Sequence, residues 1–182
     1  MARTSRETWL DEGLQLLRKS GIDQVRIDTL CSRLEMTKGS FYHHFKNHQT
    51  YLEALLEYWE HKYTSQFIDY AEQGNTPLEK IERLNTIALS AYDDPEVHIR
   101  AWAVIDTQAK DTIARVDQRR TDYLTKLYRD LDIPAEQALV TARVIYATLI
   151  GSQYILPQLK PKDLHEMFNL IATLSTQSKL EK

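Results

Sequence analysis

The chain has 182 residues, of which 42% are hydrophobic, and this is enough for one or two compact domains with a buried core. Glycine and proline are scarce, and the apolar residues recur with a period near 3.6 without alternating at period 2, so the sequence predicts an all-α fold. No apolar run is as long as a membrane span, the N-terminus lacks the apolar region of a signal peptide, and a single cysteine excludes an internal disulfide. We therefore expect a cytoplasmic protein.

The net charge of −3 is unevenly distributed along the chain. Residues 1–50 carry eight Lys or Arg against six Asp or Glu, whereas residues 51–182 carry 15 against 20. A mildly basic head on an acidic body is typical of a protein that touches nucleic acid through one end. The asymmetry is modest, so it decides little without a motif.

The first predicted helix runs from about Arg6 to Lys19 and is stopped by Gly21, a residue type that favours helix C-termini. Two short helices with a tight turn at Glu35–Thr37 are predicted to follow. The first of these two carries one apolar stripe, at the spacing i, i+3, i+4 and i+7, formed by Ile27, Leu30, Cys31 and Leu34. In the second, Phe41 and Phe45 are four residues apart, so both are expected to point inward.

The outward side of this second helix has the chemistry of a DNA-reading surface. Lys38 can donate to guanine edges or phosphate, Ser40 can pair with several base edges, and Gly39 lets the backbone approach the duplex. The spacing matches a helix-turn-helix, whose second helix enters the major groove with its N-terminal residues foremost. A polar surface helix that is merely solvated would have the same pattern. The candidate DNA-binding residues are Thr37, which we expect to be the N-cap, Lys38, Gly39, Ser40, Tyr42, His43, His44 and Lys46.

From about Arg6 to Leu56 the chain resembles the DNA-binding region of the tetracycline-repressor (TetR) family of bacterial transcriptional regulators. The resemblance rests on the aliphatic first helix ending at Gly21, the run IDTLCSRLEMTKGSFYHHF, and the entry KNHQTYLEALL into a long fourth helix. Two positions depart from the family pattern. Glu35 stands where the family usually has a glycine in the turn, and His48 stands where it usually has a lysine, so a phosphate contact at His48 is doubtful.

Six further helices bring the predicted total to about nine. They are expected from about His48 to Glu72, Pro77 to Tyr92, Pro95 to Ala109, Asp111 to Leu131, Ala135 to Leu156 and Lys162 to Thr176. The acidic run 93–96 between two of them is interpreted as a helix N-cap followed by proline rather than as a catalytic carboxylate pair. Arg115, Arg119 and Arg120 are expected to pair with acids, the alternative being a basic nucleic-acid surface.

The family resemblance divides the chain into a DNA-binding domain, residues 1–47, and a helical ligand-binding and dimerisation domain, residues 48–182. It implies a homodimer joined through the last two long helices, a palindromic double-stranded DNA operator, and release by a small-molecule effector. The small and apolar residues of the penultimate helix fit such a seam or, alternatively, the monomer's own core. These residues are Ala138, Ala142, Ile145, Tyr146, Leu149, Ile150 and Gly151.

A mostly apolar effector would be bound by aromatic side chains with scattered polar groups. The candidate ligand-binding residues are Tyr63, Phe67, Tyr92, Trp102, Asp106, Gln108, Tyr146 and Gln153, although each residue type is also common in plain cores. Asp106 lies on an otherwise apolar predicted helix. It is expected either to meet a cationic or hydroxylated ligand or to pair with an arginine.

Two other classes of function compete with a regulator. An enzyme would need a nucleophile with a base or a metal cluster, and the sequence predicts neither, nor any cofactor. His44 and His48 have the i, i+4 spacing of a metal pair, but the break at Lys46-Asn47 argues against a shared helix face. A helical dimeric adaptor that binds only proteins is the stronger rival, although it would gain nothing from Lys38-Gly39-Ser40.

Overall fold

The computed structural model describes residues 5–91 and 94–177, and every regular element in these ranges is helical. The α-helices are α1 Arg6–Ser20, α2 Ile27–Leu34, α3 Lys38–His44, α4 His48–Glu60, α5 Gln66–Ala71, α6 Pro77–Ser90, α7 Glu96–Trp102, α8 Thr107–Arg129, α9 Ala135–Ser152 and α10 Pro161–Gln177. A 3₁₀ turn spans Ile22–Gln24, and a π-helical stretch, His61–Ser65, joins α4 to α5 without a break. Counting α4 to α5 as one helix gives nine among the described residues, so the predicted all-α fold is confirmed.

Side-chain caps explain where several helices begin. The Ser5 hydroxyl accepts a hydrogen bond from the Thr8 amide at the start of α1, and the Thr76 hydroxyl accepts one from Glu79 at the start of α6. Asn47 and Thr50 form a reciprocal capping box at the start of α4. Gly21 ends α1 with φ of 76°, a conformation that favours glycine, and its amide donates to the carbonyl oxygen of Leu17.

The predicted helix from Pro95 to Ala109 is wrong, because the chain forms two helices there. Helix α7 begins after Asp94, whose carboxylate accepts from the amide of Glu96 at 2.9 Å. It ends at Trp102, and the carboxylate of Asp106 then accepts from the amide of Ala109 at 2.9 Å, which starts α8 at Thr107. Val104 and Ile105, apolar residues within the predicted helix, lie between the two helices and are 83% and 78% exposed.

The helices divide into two compact units. In the first, which comprises residues 5–63 and 94–115 of the described chain, α1 packs against α2, α4, α7 and the 3₁₀ turn, and α2 packs against α3. Its core is rich in large side chains because aromatic residues on α1, α3 and α4 meet. The largest of its fully buried residues are Trp9, Trp59, Tyr51, Phe41, Leu10, Leu17, Leu30, Leu55 and Ile99.

In the second unit, which comprises residues 64–91 and 116–177 of the described chain, α5 packs on α6, and α10 packs on α6 and α9. Ala138, Ala142, Ile145 and Tyr146 all point into a core that they share with Leu124, Leu127, Tyr128, Ile133, Ile81 and Phe168. These four residues of the predicted dimer interface therefore pack in the core of the chain itself, as the alternative interpretation expected. The predicted domain boundary, between residues 47 and 48, concerns function, whereas these two compact units meet along the chain between residues 63 and 64 and between 115 and 116. The functional boundary stays a prediction.

Candidate DNA-binding surface

The turn between α2 and α3 depends on a left-handed residue. Glu35 has φ of 54° and ψ of 38°, and the amide of Met36 donates back to the carbonyl oxygen of Cys31 at 2.9 Å. This is the hydrogen-bond pattern with which a glycine usually ends a helix. A residue with a side chain adopts this conformation at a cost of roughly 1 kcal/mol, so Glu35 makes the expected turn without the glycine.

Two buried phenylalanines fix the orientation of α3. Phe41 is fully buried, and its ring lies 5.5 Å from the ring of Trp9 on α1 and 5.3 Å from that of Tyr51 on α4. Phe45, which ends α3, lies 4.9 Å from Tyr51 in an edge-on arrangement. Since aromatic pairs of this kind pack with specific geometry, the inward face of α3 is held by two other helices, and its opposite face is left to solvent.

The structure brings all eight predicted DNA-binding residues together on α3 and its two ends. Thr37 is the N-cap, as predicted, and its hydroxyl accepts from the amide of Ser40 at 3.2 Å. Ser40 and His44 are partly exposed, and the others, including Tyr42 at 52%, are exposed. A Cβ atom added at Gly39 would meet only the Thr37 hydroxyl, at 3.6 Å, so the protein's own packing does not require glycine there.

One acidic residue that the sequence reasoning missed lies on the same surface. The carboxylate of Asp28, in the first turn of α2, is 2.6 Å from the ammonium group of Lys38, the first residue of α3. The hydrogen bond and the negative charge of Asp28 raise the pKa of Lys38 above its ordinary value. Burial raises the pKa of the neighbouring Cys31 thiol, which favours the neutral form expected of a small core residue.

His48, at the position where the resembled family has a lysine, is used inside the first unit. Its Nε2–H donates to the carbonyl oxygen of Val25 at 2.6 Å, and its ring stacks on Tyr51 at 6.3 Å. The side chain thus tethers the start of α4 to the segment before α2. This gives a physical reason for the doubt about a phosphate contact at this position.

The predicted ligand-binding residues are divided between the two units. Tyr63, Trp102, Asp106 and Gln108 belong to the first, and Phe67, Tyr146 and Gln153 belong to the second, whereas Tyr92 lies outside the described residues. Asp106 caps α8, and the side-chain oxygen of Gln108 accepts a hydrogen bond from Gln49 at 3.0 Å. Both polar groups therefore have a structural partner.

The second unit contains a polar network on α8 and α9. The hydroxyl of Tyr146 donates to the carboxylate of Asp117 at 2.7 Å, and Arg120 donates to Thr64 at 2.9 Å and to the Tyr146 hydroxyl at 3.4 Å. The side-chain oxygen of Gln153 is buried and has no hydrogen-bond partner within the described part of the chain. A buried acceptor without a partner is costly, and it is suited to accept from a bound molecule.

The remaining charged residues have mostly structural contacts. Arg115 binds the carboxylate of Glu60 at 2.6 Å, as the expected pairing with an acid requires, and Arg119 donates to the Ser65 hydroxyl.

His44 ends α3 while His48 begins α4, so the predicted break between them is present. Across residues 5–91 and 94–177, no group of three or more potential ligand side chains could hold a metal ion. None of the helices described there is long and apolar enough to cross a membrane.

A capped helix-turn-helix with an exposed second helix, in an all-α chain, defines a protein with a helix-turn-helix domain. Residues 10–55 match the sequence model of the N-terminal domain of bacterial regulatory proteins of the tetR family. Over 55 residues the chain is 38% identical to the class D tetracycline repressor protein of Escherichia coli, a match covering 30% of this chain and 25% of that protein. The matched segment thus spans a quarter of the curated relative.

Solved structures resemble the chain over nearly its whole length. A putative transcriptional regulator from Pseudomonas aeruginosa is 12% identical, with a TM-score of 0.74, over 94% of this chain and 90% of the other. One from Saccharomonospora viridis, solved in complex with choline, is 14% identical, with a TM-score of 0.73, over 90% of this chain and 93% of the other. These structures share the fold. Residues 10–55 thus match the N-terminal domain of bacterial regulatory proteins of the tetR family, and the chain as a whole is similar in fold to these solved structures.

Proposed function

We propose that this protein is a cytoplasmic transcriptional repressor that binds a palindromic DNA operator as a homodimer and is released by a small-molecule effector. The observation that carries the proposal is the surface of α3, because all eight predicted DNA-binding residues lie on this helix and its two ends and each is at least partly exposed, whereas Phe41 and Phe45 are buried. Helix-turn-helix proteins insert the N-terminal part of this second helix into the major groove. Lys38 and Ser40 would then meet base edges, and Tyr42, His43 and Lys46 would contact the flanking phosphates.

The outer faces of α9 and α10 support dimerisation. On α9, Val140 and Val144 are four residues apart and are 54% and 44% exposed, although neighbouring positions fill the core. On α10, Met167, Leu170 and Leu174 follow the same helical spacing, and Leu170 is 60% exposed. Both helices thus have an apolar face on each side, one for the core and one exposed. We assign the exposed faces to a second copy of the chain, because family members dimerise through their last two long helices.

A dimer of this kind determines how the operator is organised. Two reading helices related by a two-fold axis meet successive major grooves that are roughly 34–36 Å apart, and this requires a palindrome. Each head alone would bind weakly, whereas two connected heads gain effective concentration. Dimerisation and operator binding should therefore be lost together when the exposed apolar faces are disrupted.

The effector is proposed to bind in the helical body and to favour a form of the dimer whose heads do not match the operator. By linkage, it weakens DNA binding by the same factor by which DNA weakens effector binding. Tyr146 on α9 and Gln153, the residue that ends α9, are seven residues apart, so they lie on the same side of the helix. The unpartnered oxygen of Gln153 supports a mostly apolar effector that carries a hydrogen-bond donor.

The dimer is tested with the double variant Val144→Asp/Leu170→Asp. Its matched control is Leu78→Asp, at a leucine that is 55% exposed in the first turn of α6 in the same unit. Light scattering after size exclusion should give a dimer for the wild type and Leu78→Asp, and a folded monomer for the double variant. The monomer should bind an operator duplex at least tenfold more weakly. A wild-type monomer, or a double variant that stays dimeric, would show that these faces do not join two copies.

A further inference from the structure

The helix-turn-helix surface carries an ion pair between an acidic and a basic residue, although an acidic residue does not bind phosphate. Asp28 and Lys38 belong to different helices, and their side chains are 77% and 60% exposed, yet their charged atoms are 2.6 Å apart. Exposed ion pairs contribute little to the stability of a fold, so stability gives no strong reason for the pair. Its location at the start of α3 gives a functional one.

A carboxylate at this place opposes non-specific DNA binding in two ways. Asp28 is repelled by the phosphate backbone, and it holds the ammonium group of Lys38, which would otherwise be free to neutralise a phosphate. Both effects act on any DNA sequence. They reduce the affinity of the head for non-cognate DNA, which is bound almost entirely through phosphate contacts.

The same pair is complementary to one kind of base pair. In the major groove, guanine presents the acceptors O6 and N7, and its partner cytosine presents the N4 amino group as a donor. Lysine can donate to the first two, and aspartate can accept from the third. An intact Asp28–Lys38 pair therefore offers a donor and an acceptor side by side, as the edge of a G·C pair requires.

We propose that Asp28 is a specificity-determining residue, which keeps Lys38 away from phosphates on non-cognate DNA and recognises, together with Lys38, a G·C base pair in each operator half-site. This proposal rests on the proposed DNA-binding function. It predicts that removing the charge of Asp28 strengthens non-specific binding and weakens discrimination at one base pair.

The test compares Asp28→Asn with Asp23→Asn, which makes the same charge change on the 3₁₀ turn that packs against α1 and α7. Operators are first selected with the wild type from a pool of genomic fragments. Affinities are then measured across salt concentrations for the operator, for operators with single G·C replacements and for a non-cognate duplex. The set is repeated in the Lys38→Ala background, because a role through Lys38 requires the two residues to be coupled.

For Asp28→Asn we expect non-cognate binding to strengthen roughly threefold per bound head, and the logarithmic salt slope to steepen by about one per head. Discrimination at one G·C pair per half-site should fall at least fivefold, and Asp23→Asn should match the wild type. In the Lys38→Ala background the change in slope should be clearly smaller, because only the direct repulsion between Asp28 and the phosphates remains to be removed.

Three outcomes would overturn the proposal. If Asp28→Asn behaves like Asp23→Asn, Asp28 has no role in specificity, although the wild-type protein still binds its operator and the proposed function stands. A slope that steepens by as much without Lys38 as with it would show a general charge effect that does not act through Lys38. A wild-type protein that selects no sequence at all would remove both this proposal and the proposed function.

Discussion

Replacing Gly13 by alanine should destabilise the DNA-binding unit, although alanine is the better helix former. Gly13 is buried on α1, and a Cβ atom there would lie 1.9 Å from the hydroxyl oxygen of Tyr51 and 2.9 Å from Cδ1 of Leu55. Tyr51 cannot move aside easily, because it is fully buried between aromatic rings and its hydroxyl donates to the carbonyl oxygen of Trp9 at 2.9 Å. One added methyl group therefore has to displace the centre of the core.

The size of the effect follows from three contributions. Overpacking costs about 1–3 kcal/mol, and the loss of the Tyr51 hydrogen bond costs about 1 kcal/mol. Replacing glycine by alanine within a helix stabilises the folded state by about 1 kcal/mol. We expect Gly13→Ala to lower the free energy of unfolding by roughly 2 kcal/mol.

The assay is urea unfolding followed by circular dichroism, at one protein concentration for all variants. Gly151→Ala on α9 is the control, because a Cβ atom there meets nothing within 4 Å and alanine should be neutral or stabilising. In a Tyr51→Phe background the closest atom is gone, so Gly13→Ala should cost at least about 1 kcal/mol less. A Gly13→Ala variant as stable as the wild type, or an equal cost in both backgrounds, would refute this reasoning.

Variants at four residues test individual side chains. Lys38→Ala should weaken operator affinity roughly tenfold in a titration without changing the unfolding midpoint, and unchanged affinity would argue against α3 as the reading helix. Gly39→Ala should leave stability intact, because the protein has room for a methyl group, yet should weaken operator binding by bringing that group towards the duplex. Asp106→Ala removes the cap of α8 and should cost about 1 kcal/mol in urea unfolding, whereas Asp106→Asn should retain most of it; equal losses would contradict the cap. Burial raises the pKa of Tyr128 to about 12 from an ordinary value of 10, so its contribution is complete below pH 10 and is lost between pH 10 and 12. Tyr128→Phe should therefore reduce the fall in stability over that interval, and an unchanged fall would contradict this assignment.

The helix-turn-helix was predictable because its determinants are local. A glycine at the end of α1, a threonine before α3 and two phenylalanines four residues apart each specify a cap or a face within one or two helical turns. The structure shows Gly21, Thr37, Phe41 and Phe45 in the predicted roles. The whole predicted reading surface depends on these local features.

The break between α7 and α8 was not predictable from periodicity. Val104 and Ile105 continue the apolar pattern of the preceding residues, but the carboxylate of Asp106 caps a new helix instead. An aspartate within an apolar stretch was interpreted as a ligand or ion-pair residue, although capping is the commoner use of that side chain. Asp106 was the local signal for the break.

Contacts between residues on different helices were also not predictable from the sequence. Nothing in the spacing of Asp28 and Lys38 indicates an ion pair, because it depends on how the two helices cross at the turn. Similarly, the pattern of α9 contains two apolar faces, and the sequence does not show which one is buried in its own subunit. The structure assigns Ala138 and Ala142 to the core and leaves Val140 and Val144 exposed.

The central claim is tested most directly by selection from a pool of genomic fragments with the purified wild-type protein, at low and moderate salt, followed by sequencing of the retained DNA. The account predicts enrichment of a palindrome whose half-sites are about one helical turn apart, retained at moderate salt. Retention without sequence preference that disappears at moderate salt would reflect only the positive charge of the N-terminal region. That result would contradict the account and would favour a helical adaptor that binds only proteins.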